Sequence, residues 1–162
     1  MKPSRDCTIK TYNIQLEYNF IIRFLREINL ERILDFLAQS SDEKYYIEIS
    51  TTYKHLLIMF SETNLDSYTF VKKSLTQNAD LFTLNEMQFL STMLVQFCIF
   101  KKVQHSSDNI YKAELFEIYK IILENKYYKS NESDSMSATL FREIVLSGLE
   151  MKMFEWTKNF IM

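Results

Sequence analysis

Glycine and proline are nearly absent: the 162-residue chain contains Gly148 and Pro3 and no others. Average usage would supply roughly ten and eight. Tight hairpin turns and bulges of β-rich folds draw on both residues. Phosphate-cradling loops need glycine so that backbone amides can approach the ligand. Neither device is open to this sequence. Helices can be joined through Ser, Asn and Asp alone, so the scarcity predicts an all-α fold.

Cysteine is almost as scarce. Cys7 and Cys98 are distant in sequence, which allows one disulfide but no framework of the kind secreted miniproteins use. Residues 1–10 lack the apolar core of a secretory signal. The longest run without charge, 87–100, has fourteen residues and includes Gln88, Ser91, Thr92 and Gln96. A membrane span needs about 20 apolar residues, so this run reads as a buried helix. These absences predict a cytoplasmic chain with no membrane partner. Nineteen basic and 21 acidic residues give a net charge of −2, which supplies no bulk attraction to nucleic acid. The pairs Lys72-Lys73 and Lys101-Lys102 are too short to track a phosphate backbone.

What is abundant is apolar and aromatic: 47% hydrophobic and 15% aromatic, enough to bury a core. Residues 1–10 show no periodicity and read as a loose end. Residues 11–162 read as one domain. Helical spacing recurs at Ile14, Tyr18, Ile21, Leu25 and Ile28, then at Ile33, Leu34 and Leu37 behind an Asn29 cap. Ser40 with Glu43 fits a capping box before a helix over 43–61, whose inward residues are Tyr46, Ile49, Tyr53, Leu56, Leu57 and Phe60. Asn64 caps 65–77 with Tyr68, Val71 and Leu75 inward. Thr83 with Glu86 opens 83–103, lined by Met87, Leu90, Leu94, Phe97 and Phe100. Leu115, Ile118 and Ile122 mark 110–125, and the polar stretch 126–135 reads as a mobile loop. Two short helices fill 137–162.

The predicted architecture is eight helices in four antiparallel hairpins. Asn29-Leu30-Glu31 and Asn64-Leu65-Asp66 echo one another 35 positions apart, and a unit of roughly 35 to 45 residues falls in the helical-repeat range. The last hairpin carries an apolar stripe, Trp156, Phe160 and Ile161, with no following sequence to cover it. That marks a possible stacking face for further repeats of a longer chain.

Phe154-Glu155-Trp156-Thr157-Lys158-Asn159-Phe160-Ile161 is similar to the second helix of tetratricopeptide-like repeats, with Thr157 at the small position near the tight helix contact. The family's turn glycine and closing proline are missing. Over 87–162, Phe97-Cys98-Ile99, then Glu114-Leu115-Phe116-Glu117-Ile118-Tyr119-Lys120, then Phe154-Glu155-Trp156 with Phe160-Ile161 resemble segments of uncharacterised bacterial helical-repeat proteins. The resemblance implies a short α-solenoid and carries no activity with it.

Catalytic signals are weak. His55 and His105 lack a second ligand at helical spacing, and Cys98 between Phe97 and Ile99 reads as a small buried hydrophobe. The carboxylates are scattered over solvated faces. No metal, cofactor or catalytic residue is expected. Stacked repeats hold peptides or proteins in a concave surface, so the expected function is a non-enzymatic protein- or peptide-binding module. Tyr53, Tyr111, Tyr119 and Lys120 are candidate groove residues, because tyrosine joins apolar area to a polar tip. Two alternatives remain: a helical bundle with an interior ligand or enzyme pocket, and the sensory region of a transcription regulator lacking its DNA-binding domain.

Overall fold

The computed structural model describes residues 44–104, 109–129 and 135–162, together with Arg32, Asp35 and Gln39, which are helical. The loose end over 1–10, the helix over 14–28, the Asn29 cap, the Ser40–Glu43 box, Cys7 and His105 lie outside the described residues. So does one half of the 35-residue echo.

The described residues form six α-helices and no strand: α1 (Lys44–Ser61), α2 (Leu65–Gln77), α3 (Leu84–Gln104), α4 (Ile110–Glu124), α5 (Ala138–Glu150) and α6 (Phe154–Ile161). One 3-10 turn, Ala79–Leu81, precedes α3. The all-α expectation holds for these residues. None of their helices is long and apolar enough to cross a membrane. The chain divides into two compact units, Met1–Ser67 and Tyr68–Met162, with the boundary inside α2.

Helices α2, α3 and α5 start at side-chain caps, whereas α4 and α6 start without one. Glu86 N–H donates to Thr83 Oγ1 at 3.3 Å while Thr83 N–H donates to Glu86 Oε2 at 2.8 Å, a complete capping box. Asn64 Oδ1 accepts from Ser67 N–H at 2.9 Å, and Ser137 Oγ from Leu140 N–H at 3.2 Å. Each such cap contributes about 1 kcal/mol.

Three of the connections also contain a left-handed residue that is not glycine. Lys126 and Lys152 both take φ of 58° and Thr63 takes φ of 53°. After α4, Tyr127 N–H donates to Ile122 O at 3.0 Å and Lys126 N–H to Leu123 O at 3.2 Å; after α5, Met153 N–H donates to Gly148 O at 2.9 Å and Lys152 N–H to Leu149 O at 3.0 Å. Both are Schellman closures, which favour glycine at the left-handed position. Here lysine fills it. The first part of the stretch expected to be a mobile loop, 126–129, is therefore an ordered turn; 130–134 lie outside the described residues. Tyr127 is 8% exposed, and its hydroxyl donates to Leu75 O at 3.1 Å, fastening that turn to α2.

In the first unit, α1 buries Thr52, Leu56 and Met59, an i, i+4, i+7 row. Of the residues expected inward, Leu56 is in this row, whereas Tyr53, Leu57 and Phe60 lie one residue round from it and are half-buried. In the second unit consecutive helices are neighbours: α3 packs on α4, α4 on α5 and α5 on α6. Its core comprises Val71, Leu75, Leu90, Leu94, Phe97, Leu115, Ile118, Tyr119 and Ile144, all nearly inaccessible. Helix α3 buries Met87, Leu90, Met93, Leu94, Phe97 and Cys98 around more than one side, as its uncharged run anticipates.

Candidate functional site

The last hairpin is closed by a contact that only glycine permits. A Cβ on Gly148 of α5 would lie 2.3 Å from Thr157 Oγ1 of α6 and 3.5 Å from Trp156 Cε3. Gly148 does not have positive φ, so glycine is needed here for close approach and not for backbone conformation. Thr157 is 2% exposed and its hydroxyl donates to Met153 O at 2.8 Å.

This close approach seats an aromatic ladder. Trp156 meets Phe116 of α4 edge-on, at 4.8 Å between centroids and 79°, and stacks on Phe160 at 5.6 Å and 11°. Phe160 in turn stacks on Phe141 of α5 at 5.2 Å and 28°. Edge-to-face and stacked ring pairs each add about 0.5–1.5 kcal/mol beyond their buried area. Three helices are thereby joined through four rings.

Beside the ladder, α4 and α6 enclose an open groove of about 380 Å³ lined by Lys120, Leu123, Glu124, Trp156, Asn159 and Phe160. Each helix contributes an i, i+3, i+4 set, the spacing that places residues on one helical face. Lys120 Nζ is 2.5 Å from Glu117 Oε1 and 5.5 Å above the Phe116 ring centroid. Ion pair and ring together hold the ammonium at the rim. Leu123, Trp156 and Phe160 supply apolar surface, and Lys120, Glu124 and Asn159 supply polar groups of three different kinds.

The expected site residues divide. Lys120, Trp156 and Phe160, singled out for separate reasons, line this one groove. Ile161 is 54% exposed and does not line it. Tyr111 is half-buried near the start of α4, away from the groove lining, and Tyr53 is half-buried on α1 in the other unit. Tyr119 is a correction: at 2% exposure it belongs to the core, sharing the buried row of Leu115 and Ile122. One residue further on, Lys120 is turned about 100° away. Leu123, Glu124 and Asn159 complete the lining, three and four residues beyond Lys120 and three beyond Trp156.

Two polar clusters hold side chains of a chemically reactive kind. In the second unit, Cys98 Sγ donates to Tyr68 Oη at 3.4 Å, Tyr68 Oη donates to Glu114 Oε2 at 2.7 Å, and Lys72 Nζ donates to the same oxygen at 2.5 Å. Tyr68 also stacks on Phe97 at 5.3 Å. Burial pushes the Cys98 thiol up to about 11 and the Tyr68 phenol far above its usual range. Burial also pushes Glu114 upward, but the bonds from Lys72 and Tyr68 outweigh it and hold the carboxyl below its ordinary value. A thiol that stays protonated at neutral pH is a poor nucleophile. The cluster fastens α2, α3 and α4 together.

In the first unit, His55 Nδ1 and the Ser67 hydroxyl share a 3.1 Å hydrogen bond. Burial, and then the Lys54 charge, lower the His55 pKa. A neutral imidazole beside a hydroxyl is the pairing of a base with a nucleophile. Ser67, however, is only 3% exposed and its own N–H is held by Asn64. The pair fixes the turn between α1 and α2. Among the described residues no group of three or more His, Cys, Asp or Glu side chains is placed to hold a metal.

No family model, curated protein or solved structure matches this chain.

Proposed function

We propose that this chain is a non-enzymatic, peptide-binding helical module in which hairpins stack as a short solenoid, and that the α4–α6 groove receives an apolar side chain of the partner. The observation that carries the reading is the groove itself, with Leu123, Trp156 and Phe160 as its apolar surface and Lys120, Glu124 and Asn159 as its polar rim. Small apolar recesses with a few placed polar groups are how proteins hold an anchoring residue. The packing of each helix on its sequence neighbour favours the stacked-hairpin description. The polar clusters favour a non-enzymatic role, because their reactive atoms are consumed in holding helices together.

Peptide display against the 162-residue chain tests this. Selected sequences should share one large apolar residue, and they should lose at least tenfold in affinity for Phe160→Ala or Leu123→Arg. Selected peptides that bind these variants as well as the parent would place the binding surface elsewhere.

A further inference from the structure

The groove between α4 and α6 carries one charge that the fold leaves uncompensated. Glu124 is the last residue of α4 and is exposed. Among the described residues its carboxylate takes part in no ion pair or hydrogen bond. Lys120, four residues earlier on the same face, is at the spacing where a helix forms such a pair. It is committed instead to Glu117, at 2.5 Å, and to the Phe116 ring, at 5.5 Å from the centroid. Asn159, lining the groove from α6, likewise has an amide with no hydrogen-bond partner among the described residues.

Position along the helix adds to this. The C-terminal end of a helix is the negative pole of its dipole, where a carboxylate is unfavourable and a cation is stabilised. The last turn of α4 holds Glu124 and no basic residue. Across the groove, Glu155 and Lys158 of α6 are opposite in sign and cancel. Lys126, in the left-handed turn beyond α4, is not ion-paired to Glu124. The groove therefore joins an apolar floor of Leu123, Trp156 and Phe160 to a negative edge at Glu124. Leu123 and Glu124 are consecutive, so floor and edge lie side by side. A wholly apolar ligand laid over both would strip water from the carboxylate without giving it a partner. An acidic ligand would meet Glu124 and the negative helix end together. A cation beside the apolar anchor satisfies both surfaces.

Resting on the reading of this groove as the peptide site, we propose that its ligand is a basic peptide segment. An arginine or lysine within two residues of the apolar anchor pairs with Glu124 and donates a further N–H to the Asn159 amide oxygen.

Display of one random peptide library against the parent chain and against Glu124→Lys tests this. Peptides selected on the parent should carry Arg or Lys within two residues of the anchor. Those selected on Glu124→Lys should carry Asp or Glu there. For a parent-selected peptide, Glu124→Gln should weaken binding about threefold to fivefold, and Glu124→Lys at least about tenfold. Changing the peptide's basic residue to Glu should restore binding to Glu124→Lys. Both variants should keep the parent's helix content by circular dichroism, because the position is exposed. If Glu124→Lys loses helix, Glu124→Gln decides alone. Peptides that lose affinity for Phe160→Ala yet lack the basic residue, or bind Glu124→Gln as tightly as the parent, would overturn this inference and leave the groove as an apolar peptide site. Peptides indifferent to both Phe160→Ala and Leu123→Arg would overturn the groove reading and this inference with it, as would a library that yields no binder.

Discussion

Gly148 and Thr157 stand so close that a single methyl group on Gly148 would come within 2.3 Å of the threonine hydroxyl oxygen. The sole internal site where glycine is kept is therefore the crossing point of α5 and α6, and the groove stands on it, since Trp156 is the neighbour of Thr157. Gly148→Ala is expected to destabilise the chain by about 1–3 kcal/mol, the range for forcing extra atoms into a packed contact. Removing the obstructing hydroxyl should relieve most of that: in a Thr157→Ala background, where Cβ remains at an ordinary 3.5 Å, the same glycine substitution should cost far less. A urea-denaturation cycle over the four proteins measures the coupling, expected to exceed about 1 kcal/mol.

Left-handed lysines give a prediction of the opposite sign. Lys126 and Lys152, both at φ 58°, end α4 and α5 where glycine would be unstrained. Lys126→Gly and Lys152→Gly should each stabilise the chain by about 0.5–1 kcal/mol, relief of the side-chain clash being partly offset by the freer unfolded backbone. Chemical denaturation of the two variants checks the sign. Substitution at Lys120, inside a helix, should lower stability instead, by up to about 1 kcal/mol for glycine.

These helix ends show what the sequence conceals. Nothing local marks a lysine as a left-handed cap, so neither Lys126 nor Lys152 stands out, and the polar composition that follows Lys126 suggests mobility where a turn is closed. Starts were legible because a cap and its receiver lie three residues apart, as Thr83 and Glu86 do. Buried rows on α2 and α3 were legible from spacing, through Tyr68, Val71 and Leu75 and through Met87, Leu90, Leu94 and Phe97. Rotation was the weaker quantity: one residue separates core Tyr119 from groove-lining Lys120. Tyr68, Cys98 and Glu114 come together across separations of 30 and 46 residues, which no local pattern encodes. The 3-10 turn at Ala79–Leu81 also gave no signal.

Acid should weaken the fold in two stages. His55 has a lowered folded pKa, so the unfolded chain takes up the proton first, and stability begins to fall as pH drops below about 6.5. Glu114, also lowered, contributes stability that is fully present above the unfolded carboxylate value of about 4.3 and is lost as pH falls through its folded value. Unfolding free energy measured across pH should show both steps. Glu114→Gln should lower stability at neutral pH by about 0.5–1.5 kcal/mol and flatten the lower step.

Cys98 should be chemically silent while the chain is folded. Its side chain is 0% exposed and its thiol is pushed up to about 11. In a Cys7→Ser background, a disulfide reagent at pH 8 should modify the native protein at least about 100-fold more slowly than the urea-unfolded one. Rapid reaction in the native state would mean that the Tyr68–Cys98–Glu114 clasp opens readily.

Trp156 is the only tryptophan and lines the groove, so its emission reports occupancy directly. Titration of the 162-residue chain with a peptide selected by display should shift that emission saturably. Leu123→Arg and Asn159→Arg, which leave Trp156 in place, should weaken binding at least tenfold with unchanged helix content. Saturable binding with no change in Trp156 emission, or with affinity untouched by both substitutions, would contradict the assignment of the α4–α6 groove as the peptide site.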